Sequence, residues 1–275
     1  MIVFPLWSTP AIALVVWALW FLQRKFPVEP EQPIAAVIAD WKLAGLRIVI
    51  RTLIGPLTAA SGIMIINAMS GGWIHLRSDG WWFLFSVVVV ILANDFWGYV
   101  VHRAQHIIPM LWAMHSLHHS AEALTMITGA RHFWLEDAIN TAIFPVLAMI
   151  FNIPQEVLLT VVAIYLVPDG LFSHMNVRMS LGRFGLVINN PQYHRIHHSL
   201  EPQHFNKNFC RLLPLFDVIF GTAWKPGKDE FPMTGLAGEK ATGFLDGIIW
   251  PVRHRLSWAG RGTSGPAVAS GTRDY

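Results

Sequence analysis

Trp81–His119 reads W-W-F-L-F-S-V-V-V-V-I-L-A-N-D-F-W-G-Y-V-V-H-R-A-Q-H-I-I-P-M-L-W-A-M-H-S-L-H-H. The run from Trp81 to Val101 is apolar apart from Asn94 and Asp95, and it has the length of about 20 residues that a hydrocarbon core of roughly 30 Å requires. Two histidine windows follow at once, His102-R-A-Q-His106 and His115-S-L-His118-His119. A third, His194-R-I-His197-His198, lies further on. On a helix, residues three and four apart share a face, so each window predicts a cluster of imidazoles on one side of a helix. Imidazole is the commonest neutral metal ligand, and three such faces brought together predict more than one bound metal ion.

The composition places this stretch in a membrane protein. Of 275 residues, 53% are hydrophobic and only 13% charged, with 13 tryptophans and a mean hydropathy of +0.44. Soluble domains carry about 25% charged residues, and indole rings favour the membrane interface. A net charge of +3 gives no argument for nucleic acid as a partner. The single Cys210 excludes an intramolecular disulfide and the cysteine clusters of iron–sulfur or zinc-finger sites.

Working outward, Val3 to Leu22 predicts a first, retained membrane helix, since its start lacks the basic residues and cleavage site of a signal peptide. Ile48 to Met69 predicts a second, interrupted by Arg51, Gly55 and Pro56, with Arg47 and Arg51 snorkelling at one end. Ile139 to Val167 is split by Asn152-Ile153-Pro154 into pieces too short to cross upright, either a hairpin that penetrates partway or two helices extended by polar turns. Basic residues set the orientation. Arg24, Lys25, Arg47, Arg51, Arg103, Arg178, Arg183, Arg195, Lys207 and Arg211 fall on the side of the histidine windows, and the Ser70–Gly80 loop offers only Arg77. The histidine side is therefore expected to be cytoplasmic. The expected fold is an all-α integral, multi-pass membrane protein of about four transmembrane helices, the last a hairpin, with a cytoplasmic helical cap carrying the histidines. Its expected parts are N-terminal transmembrane helices over 1–80, a catalytic domain over 81–224 and a cytoplasmic segment over 225–275. Phe244 to Trp250 is expected on the membrane surface, and Gly260 to Tyr275 as a disordered tail.

A lone histidine is usually a core side chain with a satisfied hydrogen bond. That reading would have to hold for eight residues in three same-face clusters on one side of the membrane, and a bound cation explains them better. Asp95, on the helical face of His102, reads as an acceptor that orients a liganding imidazole, or else as a helix–helix hydrogen bond. Tyr99 fits the same orienting role. Asp169 is balanced between turn residue and metal partner, and Glu122 between surface charge and general base.

The spacing His-x3-His, His-x2-His-His, His-x2-His-His, with Asp95 ahead of it, resembles the fatty acid hydroxylase and sterol desaturase superfamily. H-S-L-H-H-S-A-E from His115 to Glu122, the single His174 before Asn176, and F-D-V-I-F-G-T from Phe216 to Thr222 are similar to further family stretches. Arg131 and Glu136 match a family motif in which His132 stands one position out of register. Phe216 stands for the usual Trp, and Cys210 for a common Gly.

The resemblance implies a di-iron site working with O2, which zinc could occupy on purification. The implied ligands are His102, His106, His115, His118, His119, His174, His194, His197 and His198, with Asp95, Tyr99, Asp169 and His132 around them. It also implies a lipid substrate (fatty acyl, sterol, glyceryl ether or carotenoid), hydroxylation in preference to desaturation, and electrons from a cytoplasmic donor. The membrane would be bacterial inner membrane or endoplasmic reticulum. The competing readings are a zinc hydrolase, with Glu122, Glu136 or Asp169 as general base, and a metal transporter, whose ligands belong near the bilayer midplane.

Overall fold

The computed structural model describes residues 8–29, 34–68, 72–141, 143–166, 171–238 and 243–259. Ten helices appear among them: α1 (Ser8–Lys25), α2 (Ile34–Ala68), α3 (Trp81–Ile107), α4 (Pro109–His119), α5 (Glu136–Thr141), α6 (Ile143–Ile150), α7 (Gln155–Leu166), α8 (Pro191–His197), α9 (Leu215–Ile219) and α10 (Phe244–Ala259). The departure from all-α is two short strands, β1 (Ile74–His75) and β2 (Phe151–Asn152). Residues 1–7, Asp169 and the Gly260–Tyr275 segment lie outside the described residues.

Among the described residues, one helix is long and apolar enough to cross a membrane, the 27-residue α3. At about 1.5 Å per residue it spans about 40 Å. Leu84, Phe85, Val88, Phe96 and Val100 are exposed on it, as a lipid-facing stripe must be. Its other face packs Val87 and Val90 against Val157 and Val161 of α7.

Helix α2 runs away from the histidine end and α3 returns; α5 and α6 run away and α7 returns. The packed pairs are α2 with α6 and α3 with α7. At the far end β1 and β2 pair in parallel, Ile74 with Phe151 and His75 with Asn152, so the turn between α6 and α7 reaches the level of the start of α3, remote from the histidines. On the way back, the Tyr165 hydroxyl donates to the Asp95 carboxylate at 2.9 Å.

Two expectations are corrected. The second helix starts at Ile34, not near Ile48, and runs through Pro56. The two arginines expected to snorkel at the start of the Ile48–Met69 span bind protein instead. Arg47 and Arg51 both pair with Asp137 in the first turn of α5, at 2.7 and 2.8 Å, and Asp40 pairs with Arg131. Buried carboxylates at these positions need cations, and that need draws Arg47 and Arg131 inward, while Arg51 covers Asp137 from the exposed side. The last helix extends well past Trp250. One face of it rests on α4, where the Trp250 indole donates to Ser116 Oγ at 2.8 Å. Gly247 lets the same helix come close to α2, since a Cβ there would meet Leu43 of α2 at 3.0 Å. Leu245, Ile249 and Val252, four and three residues apart, are left exposed on the opposite face.

Candidate metal centre

Proline punctuation positions the histidines. Ile108 precedes Pro109 and is extended, with φ −87° and ψ 117°, because proline disfavours the helical region for its predecessor. The chain turns there, and α4 folds back so that His115 and His119 face His102 and His106 of α3. Proline also opens α8, at Pro191, behind the N-cap Asn190, whose side chain accepts from the Tyr193 N–H at 3.1 Å.

Nine imidazoles converge into two adjacent nests. One gathers His102, His106, His115, His119 and His197; the other gathers His118, His174, His194 and His198. Within each nest the facing ligand atoms lie within 4.8 Å of one another. The nests touch: the His119 and His198 rings stack with centroids 4.4 Å apart. Each H-x2-H-H window is divided between them. Its i, i+4 pair serves one nest and its middle histidine the other, so His118 of α4 joins the α8 pair and His197 of α8 joins the α3 and α4 pairs.

The ring nitrogens are arranged as a cation requires. His102 Nδ1 donates to the Phe209 carbonyl at 2.7 Å, and His115 Nδ1 donates to Glu136 at 2.9 Å. Both partners are acceptors, so the proton of each neutral ring is spent on them. The two Nε2 atoms then face each other at 3.1 Å as bare lone pairs, which repel unless a cation lies between them. Further Nε2 pairs stand at 3.1 Å (His118 and His174), 2.9 Å (His174 and His194) and 3.2 Å (His194 and His198). Ligand nitrogens about 2.0–2.1 Å from one ion, at right angles or slightly more, are separated by roughly 2.9–3.3 Å. His106, His119 and His197 each bury an Nε2 without a hydrogen-bond partner, and His194 and His198 bury an Nδ1 likewise. Buried polar atoms in folded proteins are satisfied almost without exception, and a metal ion in the first nest supplies what the three Nε2 atoms lack; the Nδ1 atoms of His194 and His198 belong to rings whose Nε2 faces the second nest. Protons are a poor substitute. Burial, and then neighbouring histidines, push His118, His119, His194, His197 and His198 well below the usual imidazole range. The residues present fit two metal ions.

Around the nests, the supporting groups differ from those expected. Glu136 is fully buried and accepts from Gln105 at 2.8 Å, from His115, from His132 Nδ1 at 3.2 Å and from the Phe133 N–H at 3.0 Å. Burial alone would raise its pKa. The imidazoles of His132 and His115 outweigh that and hold it well below the usual carboxylate range. His132 belongs to this buttress and stacks on His118, with centroids 4.2 Å apart. Asp95 does not meet an imidazole: it accepts from the Leu212 and Leu213 N–H groups at 3.1 and 2.7 Å. It therefore fixes the irregular segment whose Phe209 carbonyl holds His102, one step further out than expected. Tyr99 likewise turns from His102, its hydroxyl meeting Thr222 Oγ1 at 3.2 Å and Arg103 at 2.9 Å.

Asp217 was not singled out from the sequence, although it sits in the quoted F-D-V-I-F-G-T motif. It is fully buried and accepts from the N–H groups of Phe209 and Cys210, the Tyr193 hydroxyl and Thr222 Oγ1. It thus ties α8 to the irregular segment behind His102. The signal that could have found it was an acidic residue in an otherwise apolar run.

Residues 87–222 match the sequence model of the fatty acid hydroxylase family. Ornithine lipid hydroxylase OlsE of Rhizobium tropici is 30% identical over 181 residues, covering 66% of this chain and 54% of that protein. The alkylglycerol monooxygenase of Caenorhabditis elegans is 30% identical over 158 residues, 56% of this chain and 30% of that protein. The human alkylglycerol monooxygenase is 32% identical over 151 residues, 54% and 32% respectively. The chain thus spans about half or less of the length of these relatives. No solved structure matches it.

Proposed function

The chain belongs to the fatty acid hydroxylase family, and on that premise we propose that it is a membrane oxygenase. It would hydroxylate a C–H bond of a lipid with O2 and electrons from an external, cytoplasmic donor. The observation that carries this reading is the pair of adjacent all-imidazole nests. We assign one iron to His102, His106, His115, His119 and His197, and the other to His118, His174, His194 and His198, within a catalytic domain over 81–224. Two bound irons supply the redox equivalents and open coordination positions that O2 chemistry needs.

The protein's own groups do the rest. The Phe209, Arg131 and Lys207 carbonyls and the Glu136 carboxylate hold the outer nitrogens of His102, His118, His197 and His115, fixing ring orientation and tautomer. The exposed apolar sides of α2 and α3 admit a lipid laterally, and the buried cap excludes bulk water from the nests. Hydroxylation is favoured over desaturation because the named relatives are a hydroxylase and monooxygenases, and their lipids carry polar headgroups. A polar membrane lipid is therefore the proposed substrate. A zinc hydrolase needs a carboxylate to activate water: of Glu122, Glu136 and Asp169, Glu136 is committed to four donors, Glu122 is exposed and belongs to neither nest, and Asp169 lies outside the described residues.

The test is metal analysis of protein purified without oxygen, followed by lipid turnover under isotopically labelled O2. About two irons per chain, with label in the lipid product only when a reductant is present, is the expected result. Redox-silent zinc with ester cleavage would replace this reading by hydrolysis.

A further inference from the structure

The α8 helix has seven residues, far below the length at which a helix holds itself together, yet it carries two histidines of one nest and one of the other. Its orientation is set by tertiary bonds. Gln192 donates to the Gly227 carbonyl at 2.7 Å, Tyr193 to Asp217 at 3.0 Å, and Arg195 Nε to the Pro232 carbonyl at 2.8 Å. The remaining partner comes from the other end of the sequence. Arg195, 2% exposed, forms an ion pair with Glu29, in the segment that follows α1.

Asn176 grips the same segment. Its Oδ1 accepts from the Val28 and Glu29 N–H groups at 2.9 and 3.0 Å, and its Nδ2 donates to the Glu29 carbonyl at 2.6 Å. The Arg178 N–H donates to the Phe26 carbonyl at 2.7 Å. Arg195 directly follows His194, and Asn176 stands two residues beyond His174. Both histidines belong to the same nest.

We propose that Phe26–Glu29, which lies ahead of the family-matched residues, is a positioning strap for the nest of His118, His174, His194 and His198. Glu29 acts on it through Arg195, and the Glu29 backbone through Asn176. The proposal rests on that nest binding a metal. Neutralising Glu29 leaves a buried guanidinium without its counter-charge, a strongly unfavourable state. Moving α8 towards solvent relieves it and carries His194 and His198 out of register with His174. The other nest takes four of its five imidazoles from α3 and α4 and meets the strap only through its fifth, His197, which α8 also carries.

The experiment is the rate at which a chelator extracts iron from wild type, Glu29→Gln and Glu29→Asp in detergent, with a metal-sensitive absorbance separating the two ions. Support-group losses typically change metal affinity about 10–100-fold. In Glu29→Gln one ion per chain should therefore leave at least about tenfold faster, while the other, held by four imidazoles outside α8, is accelerated clearly less, and Glu29→Asp should restore retention. A merely structural role would speed both ions equally, and that outcome overturns the proposal, as does an unchanged pair of rates. Should Glu29→Gln not yield monodisperse protein, Asn176→Ala takes its place. It keeps the ion pair, and the same one-ion acceleration is expected. Wild type binding no iron would sink the metal reading itself rather than the strap.

Discussion

The two nests are built from different materials. The nest of His102, His106, His115, His119 and His197 draws four ligands from α3 and α4, helices of 27 and 11 residues whose backbone bonds fix the ligand spacing. The nest of His118, His174, His194 and His198 takes its own i, i+4 pair from the end of a seven-residue helix and another ligand from an irregular segment. Where helix length supplies rigidity, the buried Glu136 carboxylate and the Phe209 and Lys207 carbonyls complete the support. Where it does not, Gln192, Tyr193, Arg195 and Asn176 replace it with long-range bonds. Equal geometry in two sites therefore says little about equal robustness.

The largest effect should come from breaking the crossover. His197→Ala, although on α8, should empty the nest of α3 and α4; His118→Ala, although on α4, should empty the other. Turnover should vanish in both, with the protein still in the membrane. Spectroscopy showing the opposite ion lost in each variant would reverse the assignment. Acid tests both nests alike. In metal-free protein the nest imidazoles sit well below their usual range, while those of the unfolded chain titrate near pH 6.5. Below that pH the unfolded state takes up protons that the folded state refuses, so stability is full above about pH 6.5 and falls as pH drops. The slope is up to about 1.4 kcal/mol per pH unit for each histidine. Thermal midpoints of apo protein between pH 8 and 5 measure it, and a midpoint that rises on acidification would contradict the burial argument.

Next in size, Glu136→Gln should weaken iron binding about 10–100-fold at the nest containing His115, leaving the other nearer to wild type. Competition with a calibrated chelator reads this, and equal weakening of both ions would erase the contrast drawn above. The smallest effects concern the arginines that hold α5 in place. Arg47→Ala should cost about 1–3 kcal/mol, and Arg51→Ala, more than half exposed, under about 1 kcal/mol. Denaturation midpoints in one detergent rank them, and the reverse ranking would mean that burial does not decide the pair.

Much of this was legible in the sequence. The α3 run was readable from apolar length, and the histidine windows from spacing. Family similarity pointed to His174, which no window contains. The division of each window was not readable, because sharing a face is a coarse criterion. Successive residues turn by about 100°, so His118 and His119 diverge enough to address different ions, and only the opposing helices decide which. The first half of α2 was hidden by its charges: Arg47 and Arg51 read as snorkelling side chains until Asp137, about ninety residues away, supplies their partner. Asp95 was read correctly as more than lipid-facing. Its bonds go to the Leu212 and Leu213 amides, however, and no periodicity reveals a partner more than a hundred residues distant.

The interleaved windows also bear on how the protein matures. Because α4 and α8 each contribute to both cages, seating the first cation draws the second cage partly into shape and lowers the ordering entropy left for its successor. Loading should accordingly be cooperative, the second cation binding more tightly than it would beside an empty cage.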